Sequence, residues 1–449
     1  DRLLSNTSQQ APATMSSSGC WGGVWCCSPL LGRAEAATRK SHSYGSMSGA
    51  GKFVELNDAE VNNTGVSSIS TVTIYEGRFP EDWLLQRCSE MLRLNPWLQG
   101  RLKTNPQGRI ALWIPDTDDT LDVSNRNFFR VQAEATALVD TSPCFFVKCG
   151  VDLVDEDEPI CKLVAFVDFS GKRWSLQLSM SHMIADGYTF YSIYGMLDKD
   201  ARAFAMEVER ISFNPAMLIT AGPMHGKMMS LAISAIVHKL RFRAETCMAS
   251  CQGRPPVLQV RYVLESWLQE RKAKFLAEPD APFISANDIL TSWFFSVTKP
   301  ACGAAILNMR DRFFGLEAKH AGCYGALMIY YPQEYQDAAN IRRSVWRKSP
   351  ACMVDGCRQR PGAGWQCGMV SAWHSFSRTP NFDGCEQLVH LPTGASVQSH
   401  HSRPSLQVPT AVIFRPKEDR LAMLTITAEE LPEGPLGDVV PFSTDGCEL

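Results

Sequence analysis

Trp174-Ser175-Leu176-Gln177-Leu178-Ser179-Met180-Ser181-His182-Met183-Ile184-Ala185-Asp186-Gly187 is a strand that breaks into a helix. From Trp174 to Ser181 apolar and polar residues alternate, which is the period of a strand with one buried face. Phe190, Ile193, Tyr194 and Leu197 then fall at i, i+3, i+4 and i+7, the stripe of a helix packed on one side. Residues 182–187 are therefore a strand-to-helix turn, where a rigid scaffold displays functional groups. A histidine there, with an ordinary pKa of about 6.5, can act as a general base near neutral pH. Asp186, four residues on, can hold the loop by pairing with a distant cation, and Gly187 frees the backbone for the turn. His182 also fits a hydrogen-bonded core histidine, and the residues alone leave both readings open.

Around this turn lie 449 residues, a length that suggests about three domains or two large ones. Hydrophobic residues make up 45% and charged residues 20%, so neither a wholly disordered nor a fibrous chain fits. The net charge of −3 lacks the broad basic field of a nucleic-acid binder, although local basic patches remain open to anionic substrates. Sixteen cysteines fall well below the roughly 8–10% of a disulfide scaffold. The pairs Cys144/Cys149, Cys247/Cys251 and Cys352/Cys357 lack the CxxC spacing of a zinc or redox motif. His400-His401 lies in a Ser-rich stretch with no ligand set nearby and is read as non-metal. The cysteines read as reduced thiols, and a cytoplasmic location is expected. The longest apolar run, Met228 to Val237, falls short of the 18 or more residues of a membrane span.

Four segments are expected: a tail over 1–52, a first α/β lobe over 53–205, a crossover over 206–256 and a second lobe over 257–449. The tail is rich in Ser, Gly, Ala and Thr, with only Asp1 and Glu35 as acids. It reads as unstructured, with a transit peptide, or lipid on Cys20, Cys26 and Cys27, as alternatives. In the first lobe, strands are expected near 66–74, 109–114, 144–149 and 160–168. A helix over 80–94 carries the stripe Leu84, Cys88, Met91 and Leu92 and stops at Asn95-Pro96. The crossover contains a helix-like run at 226–240. The second lobe is expected to hold strands at 258–264, 303–308 and 324–331 and helices at 266–276, 286–297 and 334–347. It closes with a hairpin, Val412–Phe414 with Leu421–Thr427, while 349–368 and 391–409 read as loops.

His182-x-x-x-Asp186-Gly187 also stands in an ordered series of motifs. Before it comes Asn95-Pro96-Trp97-Leu98-Gln99-Gly100-Arg101-Leu102. After it come Ser285-Ala286-Asn287-Asp288-Ile289-Leu290 with Trp293, Asn308-Met309-Arg310-Asp311-Arg312, Val370-Ser371-Ala372-Trp373 and Phe382-Asp383-Gly384. Over residues 66–430 this series resembles the chloramphenicol acetyltransferase-like superfamily, in particular the BAHD-type acyl-CoA-dependent acyltransferases, whose hallmark is H-x-x-x-D. The chain departs from the pattern at Ser181, where many relatives have a second histidine, and at Asn308, where an aspartate is usual. Gly322-Cys323 stands where the family has G-N, and the D-F-G-W-G element is not intact around Phe382.

The resemblance implies an α/β fold of two lobes, each a mixed β-sheet flanked by helices, with an active-site tunnel between them. It implies transfer of an acyl group from acyl-CoA, a co-substrate and not a tightly bound cofactor, to a hydroxyl or amine of a small molecule. His182 would be the base, and Ser371 would donate to the tetrahedral oxyanion unless it is simply a strand residue. Asp186 would point away from the tunnel and pair with Arg310 in an architectural role, supported by Gly187, while Trp373 packs near the tunnel wall. Arg310 and Arg312 have CoA phosphate as an alternative partner. The cluster Arg342, Arg343, Arg347 and Lys348 reads as a basic rim for CoA or as a solvated helix face. The expected species is a monomer with no nucleic-acid partner. A catalytically silent acyl-ligand-binding protein and a condensation-type enzyme using carrier-protein thioesters stand as alternatives.

Overall fold

A computed structural model of the chain describes residues 51–116, 128–133, 143–211, 257–279, 281–312, 315–346, 367–393 and 409–441. The first half builds β1 (Gly51–Glu55), α1 (Asp58–Asn62), β2 (Ile69–Glu76), α2 (Glu81–Leu94), β3 (Arg101–Thr104), β4 (Ile110–Pro115), β5 (Phe128–Ala133), β6 (Cys161–Asp168), β7 (Arg173–Met180) and α3 (Gly187–Gly195). The second half builds β8 (Val257–Val263), α4 (Glu265–Lys274), α5 (Ala286–Thr298), β9 (Cys302–Asn308), β10 (Gly325–Tyr330), α6 (Pro332–Tyr335), α7 (Ala338–Trp346), β11 (Cys367–Ala372), β12 (Glu386–Thr393), β13 (Thr410–Lys417), β14 (Arg420–Thr427) and β15 (Leu436–Val439). The helix-like run at 226–240 and the tail lie outside the described residues.

Two mixed sheets carry the fold. The first has the order β12-β2-β7-β6-β5, and the second β10-β9-β11-β13-β14-β8-β15. Strands β1, β4 and β3 form a small third sheet. On one face of the first sheet Tyr75, Trp174, Leu176, Leu178 and Met180 meet the Leu84, Cys88, Met91 and Leu92 stripe of α2. On its other face Val72, Ile74, Val164 and Phe166 pack against Val260, Tyr262, Phe414 and Leu424 of the second sheet. The alternation of β7 therefore does not separate core from solvent. Seven of its eight residues are buried, because its polar face lies against the other lobe. Most polar groups there find partners: Ser179 Oγ accepts from Ser70 Oγ at 2.8 Å and Gln177 Nε2 donates to the Phe145 carbonyl at 3.1 Å, while Gln177 Oε1 is buried without one.

Several segments differ from the sequence expectation: β1 takes in residues 51–52 of the expected tail, the single helix expected at 334–347 is the pair α6 and α7, and β11 begins at Cys367 inside a stretch read as loop. Residues 144–149 are not a strand; their backbone is tied by side chains, with Val147 N–H donating to Ser179 Oγ and Lys162 Nζ donating to the carbonyls of Cys144 and Phe146. The strand beside β6 is β5 instead. Residues 391–393 belong to β12, which leaves the second half of the chain to pair antiparallel with β2. The first lobe is thus completed by a segment from beyond residue 257. Leu391 and Val389 of this strand enter the inter-lobe core.

His390 on the opposite face of β12 pins the strand. Its Nδ1 lies 2.7 Å from Thr73 Oγ1 on β2, and its Nε2 lies 2.8 Å from Tyr191 Oη on α3. Complete burial lowers its pKa to about 3. An unfolded histidine binds its proton near pH 6.5, so this residue's contribution to stability is complete above that pH. It is lost by about 1.4 kcal/mol per pH unit as the pH falls toward 3. In urea unfolding, the stability gap between the native chain and His390→Gln should therefore shrink by about that slope from pH 6.5 to 4.5. A gap independent of pH would contradict the account.

Candidate active site

The turn after β7 is held from inside the first lobe. Ser181 N–H donates to the Ile160 carbonyl at 2.9 Å, and Met183, Ile184 and Ala185 are fully buried. Asp186 then caps α3, its Oδ1 accepting from Thr189 N–H at 2.8 Å. An aspartate N-cap satisfies one of the orphan donors of a helix start, so the residue that ends the motif also begins the helix. Between these anchors His182 remains half-buried.

One side chain, Asn63, approaches His182 from the end of α1. Asn63 Nδ2 lies 3.3 Å from its Nδ1, 3.2 Å from its carbonyl oxygen and 3.3 Å from Cys323 Sγ. Burial holds the imidazole below its ordinary pKa, against hydrogen bonds to its own carbonyl and that of Ala185 and the charge of Asp186. The ring is therefore neutral at pH 7. An amide nitrogen can only donate, so it bonds to the ring at Nδ1 only in the tautomer whose Nδ1 carries the lone pair, and in either tautomer a neutral imidazole keeps one unprotonated nitrogen.

Behind His182 stands Arg310, whose five N–H groups are all engaged. Nε donates to the His320 carbonyl at 3.0 Å; Nη1 donates to Asp186 Oδ2 at 2.6 Å and Asn308 Oδ1 at 3.1 Å; Nη2 donates to Thr189 Oγ1 at 2.8 Å and the Gly322 carbonyl at 3.0 Å. Nothing on this guanidinium is left for a phosphate. Burial alone would raise the Asp186 carboxyl, but Arg310 and the N–H groups of Thr189 and Tyr324 hold it below its usual range. Asn308, in the place of the usual aspartate, accepts from Arg310 with its amide oxygen. Arg312 points elsewhere, toward the Val345 carbonyl at 3.4 Å.

The turn Gly322-Cys323-Tyr324 links this cage to α1. Glu60 is fully buried and accepts from Cys323 N–H at 2.9 Å and Arg210 Nε at 2.9 Å. Asn57 Nδ2 donates to the Cys323 carbonyl at 3.3 Å. Gly322 has a φ of +139°, and a Cβ there would stand 2.9 Å from both Glu60 Oε1 and the Tyr324 ring. Asn57, Glu60, Asn63 and Thr189 were not among the residues singled out from the sequence. The signal was present as Asn57-x-x-Glu60, which forms a capping box on α1.

Ser371 and Trp373 come from the second sheet. Ser371 sits opposite Val412, a residue packed against the inter-lobe core, so it lies on the face turned toward the first lobe. Its Oγ accepts from Trp373 Nε1 at 2.9 Å. Indole N–H can only donate, so the serine hydroxyl keeps its own hydrogen for another acceptor. Trp373 packs edge-on to Tyr191, and a Cβ at Gly187 would stand 3.7 Å from it and 3.0 Å from the Phe376 ring. Of the basic cluster, Arg342 donates to Asp288 at 2.8 Å and Arg343 to Glu278, while Arg347 and Lys348 lie outside the described residues. No described group of His, Cys, Asp and Glu is arranged to hold a metal, and no described helix is long and apolar enough to cross a membrane.

No protein-family model matches the chain, and no curated protein matches it either. Among solved structures it is similar to TRI101 of F. sporotrichioides in complex with coenzyme A and T-2, at 11% identity over 84% of this chain and 95% of that one, with a TM-score of 0.55. It is also similar to polyketide synthase associated protein 5 from Mycobacterium tuberculosis, at 10% identity over 85% and 94% of the two chains, with a TM-score of 0.51. At such identity the likeness is one of fold. It establishes the two-lobed, mixed α/β chloramphenicol acetyltransferase-like architecture for this chain.

Removing the charge of Asp186 leaves Arg310 buried without a counter-ion. Asp186→Asn should cost about 3–5 kcal/mol in chemical unfolding, the range for breaking a buried pair from one side. A cost under about 1 kcal/mol would show that the pair is dispensable.

Proposed function

We propose that this protein is an acyltransferase that moves an acyl group from an acyl-CoA thioester to a hydroxyl or amine, with His182 as general base and no covalent acyl-enzyme. The observation that carries the reading is the half-buried, neutral imidazole displayed at the strand-to-helix turn that the Asp186–Arg310 pair holds in place. The fold shared with TRI101, which was crystallised with coenzyme A, supports a CoA thioester as donor.

The acceptor X–H loses its proton to the unprotonated ring nitrogen of His182 as X attacks the thioester carbonyl carbon. The X–C bond forms and the carbonyl electrons move to oxygen, where the free hydrogen of Ser371 donates to the oxyanion. Collapse re-forms the carbonyl and breaks the C–S bond, and the departing CoA thiolate takes the proton from His182. Holding both substrates at one imidazole lowers the barrier by up to about 7–11 kcal/mol through orientation. Asp186 and Arg310 act at a distance by fixing the turn. The acceptor is a small molecule, and the chain acts without nucleic acid.

Incubation with a panel of acyl-CoAs and acceptors, read by release of free thiol, tests this. His182→Ala should lower turnover by about 10²–10⁴ while leaving the fold intact, and Ser371→Ala should lower it by about 10²–10³. Turnover retained in His182→Ala would remove the base assignment; transfer from an acyl carrier protein but never from CoA would replace the donor. Because the imidazole loses activity when protonated and its pKa is lowered, kcat/KM should be flat through pH 7 and fall only below about 6.5.

A further inference from the structure

We propose that the apolar face of β9 and β10 turned away from the helices of the second lobe is the subsite for the acyl chain of the donor, and that the chain it takes is a medium or long aliphatic one. This rests on the reading of Ser371 as the oxyanion donor and adds a substrate class to it. The two strands alternate: Ala305, Met328 and Tyr330 enter the core beneath α5, while Ile306, Leu327 and Ile329 on the other face are 39%, 56% and 41% exposed. Single exposed apolar residues need no explanation, but these are neighbours. Ile306 pairs with Leu327, and Ala304 pairs with Ile329 on one side and with Met369 of β11 on the other. The small Ala304 leaves a dip between the larger side chains. Among the described strands β10 is the outer one of its sheet, and Gly325–Tyr330 carries neither a charge nor a proline to guard that edge.

The face is continuous with the site. Val370 pairs with Ala305, so Ser371, the next residue of β11, stands beside Ile306 on the same face. Ser371, Ile306 and Leu327 thus form a row across three strands. Two residues beyond Ile306 on the same face is Asn308, which accepts from Arg310. Its partner across the ladder, Gly325, follows directly on the Gly322-Cys323-Tyr324 turn of the cage. The apolar face therefore begins at the structure that fixes the His182 turn and runs outward from it.

That order selects the acyl chain as the occupant. A thioester carbonyl whose oxygen accepts from Ser371 carries its acyl chain on the same carbon, so the chain starts at the head of the row. Three strands span about 10 Å, which an extended chain of roughly eight carbons covers. An acetyl group leaves Ile306, Leu327 and Ile329 in water. Beyond Ser371 the row offers no side-chain hydrogen-bonding group, so a polar substituent on the chain would find no partner there.

The full chain is assayed with acetyl-, butyryl-, octanoyl- and dodecanoyl-CoA, using an acceptor from the panel that supports turnover. Native kcat/KM should rise by about twofold per methylene up to octanoyl, half the free-energy effect of full burial. Leu327→Ser and Ile329→Ser should each lower the octanoyl-to-acetyl ratio by about 5–10-fold. Phe169→Ser, an equally exposed apolar residue just after β6, should leave that ratio within about twofold of native. Dodecanoyl-CoA with a terminal diazirine locates the chain without turnover, and photolysis should label the strand 325–330. A native ratio near one, ratios unmoved in both serine variants, or labelling confined to other segments would overturn the proposal. A dimer in light scattering that Leu327→Ser converts to a monomer would also overturn it, because a second copy would then cover the face. Absence of turnover with every acyl-CoA would defeat the acyltransferase reading instead, and the labelling would decide the subsite. If Ile329→Ser does not fold, the more exposed Leu327→Ser carries the test.

Discussion

A buried guanidinium needs a partner for its charge and for its hydrogens, and Arg310 obtains both from the turn that carries His182. Asp186 supplies the charge; Asn308, Thr189, His320 and Gly322 supply the remaining acceptors. Asp186 and Thr189 belong to the first lobe, while the other three and Arg310 itself belong to the second. One cation thus closes the end of β9, the turn before β10 and the start of α3 on each other. The position of His182 follows from that closure, because the histidine has nowhere to move once Asp186 four residues on is held by three donors. The aspartate is consumed by architecture, so in the proposed reaction proton transfer falls to the imidazole.

Much of this was legible in the chain. Leu84, Cys88, Met91 and Leu92 announce the buried side of α2 because helical period and burial coincide there. The break from alternation to a helical stripe across residues 182–187 marks the turn because no other local structure accommodates both periods. What stayed hidden was decided at a distance. The local sequence does not reveal that Val389, His390 and Leu391 lie in a strand, since Glu386 and Pro392 beside them are weak strand formers and the partner, β2, is remote. Asn63 has no local signature at all: its place beside His182 depends on where α1 is anchored, and that anchor is a backbone amide more than 260 residues away.

The polar face of β7 shows a second limit of local pattern. Ser175, Gln177 and Ser179 look like a solvent face, yet each is buried between the sheets. Small and amide side chains let two β-layers meet without a continuous apolar seal, with Ser68, Ser70 and Ser179 bonded among themselves and Gln177 tied to backbone.

Strand β12 has a consequence for how the protein is made. Its bonds to β2 join residues 317 positions apart, as Thr73 and His390 do. During synthesis the first sheet emerges with the β2 edge open and must wait for most of the second half before that edge is covered. Contacts of such separation slow folding, and an uncovered strand edge is a site of mispairing. The two lobes are consequently not successive modules: the first sheet of the nascent chain keeps an open edge until its last strand arrives.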